Sequence, residues 1–80
     1  MKRRNKISKL SQEIVLKSRV IAKGRRIRNI QGLVEKYGGI ASKWVKKSSA
    51  PFEIDGEFNE YHWYEHHGIG RVEIKLKKVK

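Results

Sequence analysis

The sequence has no cysteine, a single proline and few acidic residues. Without cysteine, disulfides cannot reinforce the fold, and zinc sites built on thiolates are excluded. No apolar run approaches the roughly 20 residues that a membrane-spanning helix needs. The 80 residues suffice for one small domain with a thin core. We expect that domain to span 1–80, with 1–6 as a mobile basic arm.

Positive charge is what the chain has in excess. It carries 20 Lys and Arg residues against 8 Asp and Glu residues, a net charge of +12. A surplus of this size favours a polyanionic partner, and nucleic acid is the first expectation. An acidic protein is the second, since charge complementarity speeds association. A membrane surface is the third.

The apolar residues of the first quarter of the chain predict a helix. They recur at intervals of three and four over 7–21, which is the spacing of one helical face. Ser8 or Ser11 could cap its start, because a serine hydroxyl can accept a hydrogen bond from a free backbone N–H. Gly24 is the expected end of this helix.

A second helix is predicted over 27–37. Its apolar residues form a single stripe at helical spacing, with the basic residues largely off it. Gly38 and Gly39 follow the stripe directly and are expected to end the helix.

The second half of the chain predicts strands, because aromatic and β-branched residues alternate there with turn residues. Asp55-Gly56 is a two-residue hairpin signal. The predicted strands are 42–47, 51–54, 57–65 and 69–77. The apolar stripes of the helices can be buried only against one face of this sheet. The predicted fold class is α+β, with two N-terminal helices packed on a three- to four-stranded antiparallel β-meander.

Strict alternation along the last two strands assigns side chains to the two faces of the sheet. Tyr61 and Trp63 are expected on the helix side, and His62 and Tyr64 on the open side. In the final strand the apolar set Val72, Ile74 and Leu76 should pack on the helices, and the charged set Arg71, Glu73, Lys75 and Lys77 should face outward.

The open face therefore gathers groups that could cleave RNA without a metal. Such cleavage needs a base for the 2′-hydroxyl, an acid for the leaving oxygen and a cation for the phosphorane charge. His62 could serve as base or acid, because imidazole titrates near neutral pH. Glu65 or Glu73 could be the second proton-transfer group. The residues that could hold the phosphate are Lys43, Arg71 and Lys75.

Each of these residues also has a structural interpretation. His62 could be an ordinary surface histidine, and alternating charge is also typical of a solvated strand face. Trp44 and Tyr64 could stack on bases or belong to the core. His66 is expected in a turn, together with His67. Because His62 and His66 lie about 13 Å apart along a strand, no metal site and no cofactor are expected.

Three segments together resemble a known family. They are Lys43-Trp44-Val45-Lys46-Lys47, then Asp55-Gly56, then Tyr61-His62-Trp63-Tyr64-Glu65-His66-His67-Gly68-Ile69-Gly70-Arg71-Val72-Glu73-Ile74-Lys75-Leu76-Lys77. The pattern is similar to C-terminal toxin modules of bacterial polymorphic toxin systems, found at the ends of Rhs and contact-dependent inhibition proteins. Many of those modules are small basic ribonucleases with the barnase/EndoU/colicin/RelE-like arrangement of N-terminal helices and a four-stranded antiparallel sheet.

The resemblance implies metal-independent cleavage of RNA, with tRNA among the candidate substrates, and an acidic cognate immunity protein as inhibitor. The site of action would be the cytoplasm of a target cell, reached as part of a larger secreted protein. The implied catalytic residues are His62, Glu65, Arg71 and Lys75, and the expected substrate contacts are Lys43, Trp44, Lys46, Tyr64 and Glu73. A non-catalytic RNA- or DNA-binding module and a basic domain that binds an acidic protein are the alternatives.

Overall fold

A computed structural model describes residues 10–79 of the chain as short helices followed by an antiparallel sheet. The helices are α1 (Gln12–Leu16) and α2 (Ile30–Tyr37), with single 3-10 turns at Gly24–Arg26 and Ala41–Lys43. The strands are β1 (Arg19–Lys23), β2 (Val45–Ser48), β3 (Phe52–Ile54), β4 (Glu57–His66) and β5 (Gly70–Lys78). The α+β class is confirmed, but the sheet has five strands rather than three or four.

The prediction of one long N-terminal helix is wrong in its second half. After the five residues of α1 the chain forms β1, which pairs antiparallel with β2. Val20 and Ile21 are adjacent β-branched residues, which favour a strand where a neighbouring strand is available. Ser11 caps α1 by accepting a hydrogen bond from the Ile14 backbone N–H at 3.1 Å. The alternative cap Ser8 and the predicted arm 1–6 lie outside the described residues.

β4 is the central strand of the sheet and pairs with β2, β3 and β5. A strand has two hydrogen-bonding edges, and β5 occupies one edge of β4 along almost its whole length. β2 and β3 share the other edge, with β2 beside 62–65 and β3 beside 57–59. The Asp55-Gly56 hairpin is confirmed, with φ of 49° and 83° at its two residues, as a type I′ turn requires. Thus β3, β4 and β5 form a meander, whereas β2 pairs with β4 directly.

The core lies between α2 and one face of the sheet, called here the α2 face. Its fully buried members are Ile27, Leu33 and Trp44. The residues packed around them are Ala22, Ile30, Val34, Tyr37, Tyr64 and Val72. The predicted apolar stripe is therefore confirmed as buried, and Gly38, with φ of 90°, ends the helix as expected. The predicted start is wrong: α2 begins at Ile30, and Ile27 is in extended backbone before it.

A β-bulge in β5 changes the predicted faces. Val72 pairs with Tyr64 on the α2 face, but the register shifts at Glu73, whose φ is 54°. A bulge places one extra residue in a strand, so the alternation restarts after it. Lys75 therefore shares the α2 face, and Leu76 lies on the opposite face with 45% of its surface exposed.

The faces predicted for β4 are reversed. Tyr64 packs on the core beside α2, so alternation places Trp63 on the opposite face. Both residues were predicted on the other side. The reversal matters because it moves His62 to the same face as the helix, beside the core rather than away from it.

Candidate active site

The four predicted catalytic residues divide between the two faces of the sheet. His62 pairs directly with Lys75 on the α2 face, and Glu65 pairs with Arg71 on the opposite face. The prediction of one shared centre is therefore wrong: the sheet itself separates the two pairs. Direct cross-strand partners on one face lie about 5 Å apart, so each pair remains a local unit.

Glu65 is the centre of an ion-pair cluster on the opposite face. Its Oε1 accepts a hydrogen bond from Trp63 Nε1 at 3.0 Å and lies 3.4 Å from Arg71 Nε. Its Oε2 lies 3.5 Å from Lys47 Nζ. Every oxygen of this carboxylate is thus engaged by its neighbours, which is the arrangement of a structural cluster.

His62 belongs to a hydrogen-bond chain on the α2 face. Its Nε2 lies 2.9 Å from Glu60 Oε1, and the Ser48 hydroxyl donates to the same oxygen at 3.1 Å. The hydrogen bond with His62, aided by that with Ser48 and opposed by burial, holds the pKa of Glu60 below its usual range. An ionised carboxylate only accepts, so His62 Nε2 carries the proton in this bond.

This bond fixes the tautomer of the neutral His62 ring. With the proton on Nε2, Nδ1 has the free lone pair and is the basic nitrogen. Nδ1 is buried and has no hydrogen-bond partner among residues 10–79. An unpaired buried nitrogen costs about 1–3 kcal/mol, and a catalytic role is one of the explanations for such a group.

A cavity of about 80 Å³ opens beside His62 on the α2 face. It is lined by Lys46, His62, Trp63, Tyr64, Glu73, Lys75 and Lys77. Three lysines thus surround a volume that could hold one phosphate-sized group. The only carboxylate in this lining, Glu73, is engaged elsewhere: it accepts from the Tyr37 hydroxyl at 3.0 Å and lies 3.7 Å from Lys36 Nζ.

The predicted substrate contacts are divided as well. Lys46, Tyr64 and Glu73 line the cavity, and the Lys46 ammonium lies 5.7 Å from the centre of the Tyr64 ring. Lys43 is exposed in the 3-10 turn before β2 and lines no part of this cavity. Trp44 cannot stack on a base, because it is 0% exposed in the core.

Sequence reasoning assigned no role to three residues of this site. Glu60 lies two residues before His62, so strand alternation puts both on one face, and this was a usable signal. Lys77 was grouped with the outward charged set, and the bulge in β5 determines which face it shares. Ser48 reaches Glu60 only through the register of β2 on β4, which no short-range pattern reveals.

His66 is a structural residue at the end of β4. It is 8% exposed, and its ring lies edge-on to Trp44 at a centroid distance of 5.3 Å. The Ile40 backbone N lies 3.2 Å from Nε2 and the Gly68 backbone N lies 3.0 Å from Nδ1. A neutral imidazole accepts a hydrogen bond at only one of these two nitrogens. The ring therefore ties the turn after β4 to the segment after α2.

Within residues 10–79, no group of three His, Asp or Glu side chains is arranged to hold a metal ion, and no helix is long and apolar enough to cross a membrane. Comparisons of the chain with protein-family models, curated proteins and solved structures found no match. The function of this chain is therefore inferred from the site and from the sequence motif.

Proposed function

We propose that this chain is a metal-independent endoribonuclease that cleaves RNA in the cavity beside His62. The observation that carries the proposal is the direct pairing of His62 with Lys75 in a lysine-lined cavity, with Glu60 fixing the imidazole tautomer. A carboxylate that orients a histidine and a cation beside it are recurrent parts of acid–base sites.

The cleavage step uses the 2′-hydroxyl of the RNA as nucleophile. His62 Nδ1 takes the hydroxyl proton, O2′ forms a bond to phosphorus, and the bond from phosphorus to O5′ breaks. The protonated imidazole then returns the proton to O5′. The products are a 2′,3′-cyclic phosphate and a 5′-hydroxyl, and no water or cofactor is consumed.

The lysines stabilise the charge that develops during this step. The phosphorane carries more negative charge than the ground-state phosphate, and Lys46 and Lys75 line the cavity that would hold it. Removing one such donor from an active site costs about 10²–10³-fold in rate. The buried Nδ1 must become accessible to the hydroxyl, so binding includes a rearrangement of the cavity wall.

The test is cleavage of total tRNA in EDTA by the wild type and His62→Ala. Cleavage that persists in EDTA and disappears in His62→Ala supports the proposal. His67→Ala is the matched control, because His67 is exposed in the turn after β4. Equal cleavage by His62→Ala and the wild type would show that His62 is not catalytic. The cleavage would then require a different catalytic site.

A non-catalytic RNA-binding module is the second candidate, and the inaccessibility of His62 Nδ1 favours it. A module of this kind would use the same lysines to hold backbone phosphates. RNA that is retarded in a gel but remains intact with every variant would establish this second function in place of the first.

The toxin role follows from the resemblance of 61–77 to toxin modules and from the net charge of +12. Its partner would be an acidic inhibitor protein, and its site of action the bacterial cytoplasm. Induced expression in a bacterium should arrest growth with the wild type and not with His62→Ala at equal protein level. Growth arrest by both proteins would show that the toxicity does not depend on the proposed cleavage by His62.

A further inference from the structure

A larger cavity adjoins the one beside His62. It has a volume of about 480 Å³ and is lined by Ala22, Arg26, Ile27, Arg28, Asn29, Lys46, Tyr64 and Lys77. Lys46, Tyr64 and Lys77 also line the smaller cavity. The two spaces therefore share part of a wall, and the larger one is called here the flanking groove.

The cations of the flanking groove have no carboxylate partner within the described residues. Arg26, Arg28, Lys46 and Lys77 form no ion pair with a carboxylate among residues 10–79. On the opposite face, by contrast, Arg71 and Lys47 lie 3.4 Å and 3.5 Å from the carboxylate oxygens of Glu65. Positive charge with no internal partner is the footprint of a site for an external polyanion.

The flanking groove also has surfaces suited to a base. The half-buried Ala22 gives it an apolar contact, and the half-buried Tyr64 ring adds an aromatic surface. Arg26 and Arg28 are exposed in the segment between β1 and α2. Proteins that hold single strands combine a cationic track for phosphates with aromatic or apolar surfaces for base faces.

We infer that the flanking groove binds the nucleotides next to the cleavage site of an unpaired RNA strand. The inference rests on the proposed ribonuclease function, because it places the scissile phosphate in the cavity beside His62. In a duplex the bases are stacked inside the helix and side chains cannot reach them through the narrow major groove. Only an unpaired strand can present a phosphate to His62 and a base face to Tyr64 together.

Binding is measured by fluorescence anisotropy in EDTA with labelled 2′-O-methyl oligonucleotides, whose blocked 2′-oxygen prevents cleavage. A tetranucleotide should bind at least about tenfold more tightly than a dinucleotide, because it makes more phosphate contacts. A blunt RNA duplex should bind more weakly than the tetranucleotide. A duplex that binds as tightly as the single strand would overturn the inference.

The variant Arg28→Met tests the groove itself. It should weaken binding of the tetranucleotide and reduce the slope of log K against log salt by about 0.7, the value for one phosphate contact on a single strand. Lys78→Met is the matched control, because it removes the same charge from a lysine that pairs with Glu57 at 3.0 Å outside the groove. If both variants weaken binding equally, the loss of net charge explains the result, and the flanking groove is not the binding site.

The same variants separate this inference from the proposed function. If the wild type cleaves tRNA while Arg28→Met binds and cleaves as the wild type does, the flanking groove is wrong and the ribonuclease remains. If the tetranucleotide binds with the expected dependence on Arg28 and no RNA is cleaved, the groove is correct and the ribonuclease is wrong.

Discussion

Replacing Trp44 with phenylalanine tests whether this residue serves the core or the substrate. The indole is 0% exposed, and its Nε1 donates to the Gly38 carbonyl at 3.0 Å. Losing the donor leaves that carbonyl unpaired at a cost of about 1–3 kcal/mol. The missing atoms of the larger ring leave a space beside Tyr37 and His66, whose rings lie 6.1 Å and 5.3 Å away. We expect a total loss of about 2–4 kcal/mol.

That loss is large for this chain. Domains of this length have an unfolding free energy of about 4–12 kcal/mol, at about 0.05–0.15 kcal/mol per residue. Urea denaturation followed by far-ultraviolet circular dichroism should show a lower midpoint for Trp44→Phe, and Tm should fall by at least about 8 °C. RNA binding, measured well below Tm, should not change. An unchanged midpoint combined with lost RNA binding would refute a core role and restore Trp44 as a substrate contact.

Three further predictions concern other parts of the fold. The pKa of Glu60 lies below its ordinary value of 4.5, so its stabilising contribution is complete above that pH and is lost as the pH falls through the lowered pKa. Urea midpoints of the wild type and Glu60→Gln should converge as the pH falls into that range, and a constant difference would contradict this linkage. Glu65→Gln should lower stability by about 1–3 kcal/mol and leave RNA cleavage intact; loss of cleavage with unchanged stability would return Glu65 to the catalytic set. Gly39→Ala would put a methyl group 2.7 Å from the His66 ring at a φ of 83°, and should lower Tm more than Gly38→Ala, which meets no atom within 4 Å; equal shifts would mean that backbone strain alone governs both.

Local sequence signals predicted the elements that short-range chemistry controls. The Asp55-Gly56 turn, the Ser11 cap and the end of α2 at Gly38 each depend on residues within a few positions of one another. The same applies to the buried stripe of α2. Such features could be predicted because their energies are set by nearby φ values and backbone hydrogen bonds.

In the N-terminal half of the chain, a local sequence pattern predicted the wrong secondary structure. Apolar spacing over 7–21 fits a helix, yet Arg19–Lys23 is a strand. Strand formation there depends on the free edge of β2, more than twenty residues away along the chain. Propensity is a weak prior when a distant partner supplies backbone hydrogen bonds.

The sequence predicted several residues of the candidate site, but not how they are distributed over the two faces of the sheet. His62 and Lys75 share one face as expected, but the bulge brings them together, because in the register that pairs His66 with Gly70 and Tyr64 with Val72 His62 would oppose Ile74. The bulge at Glu73 places one extra residue in β5 between Arg71 and Lys75, so these two cations lie on different faces of the sheet. A pattern of alternating charge gives no sign of such a shift.

By itself, the sequence determined that this protein is a small basic α+β domain with an imidazole among cations in its C-terminal hairpin, since composition and period-two alternation are local properties. Only the tertiary structure decided that Glu60 and Ser48 orient His62, that Glu65 and Arg71 serve the opposite face, and that Trp44 fills the core. The physical reason is that strand register and helix placement are set by long-range pairing and burial, which short-range sequence patterns do not reveal.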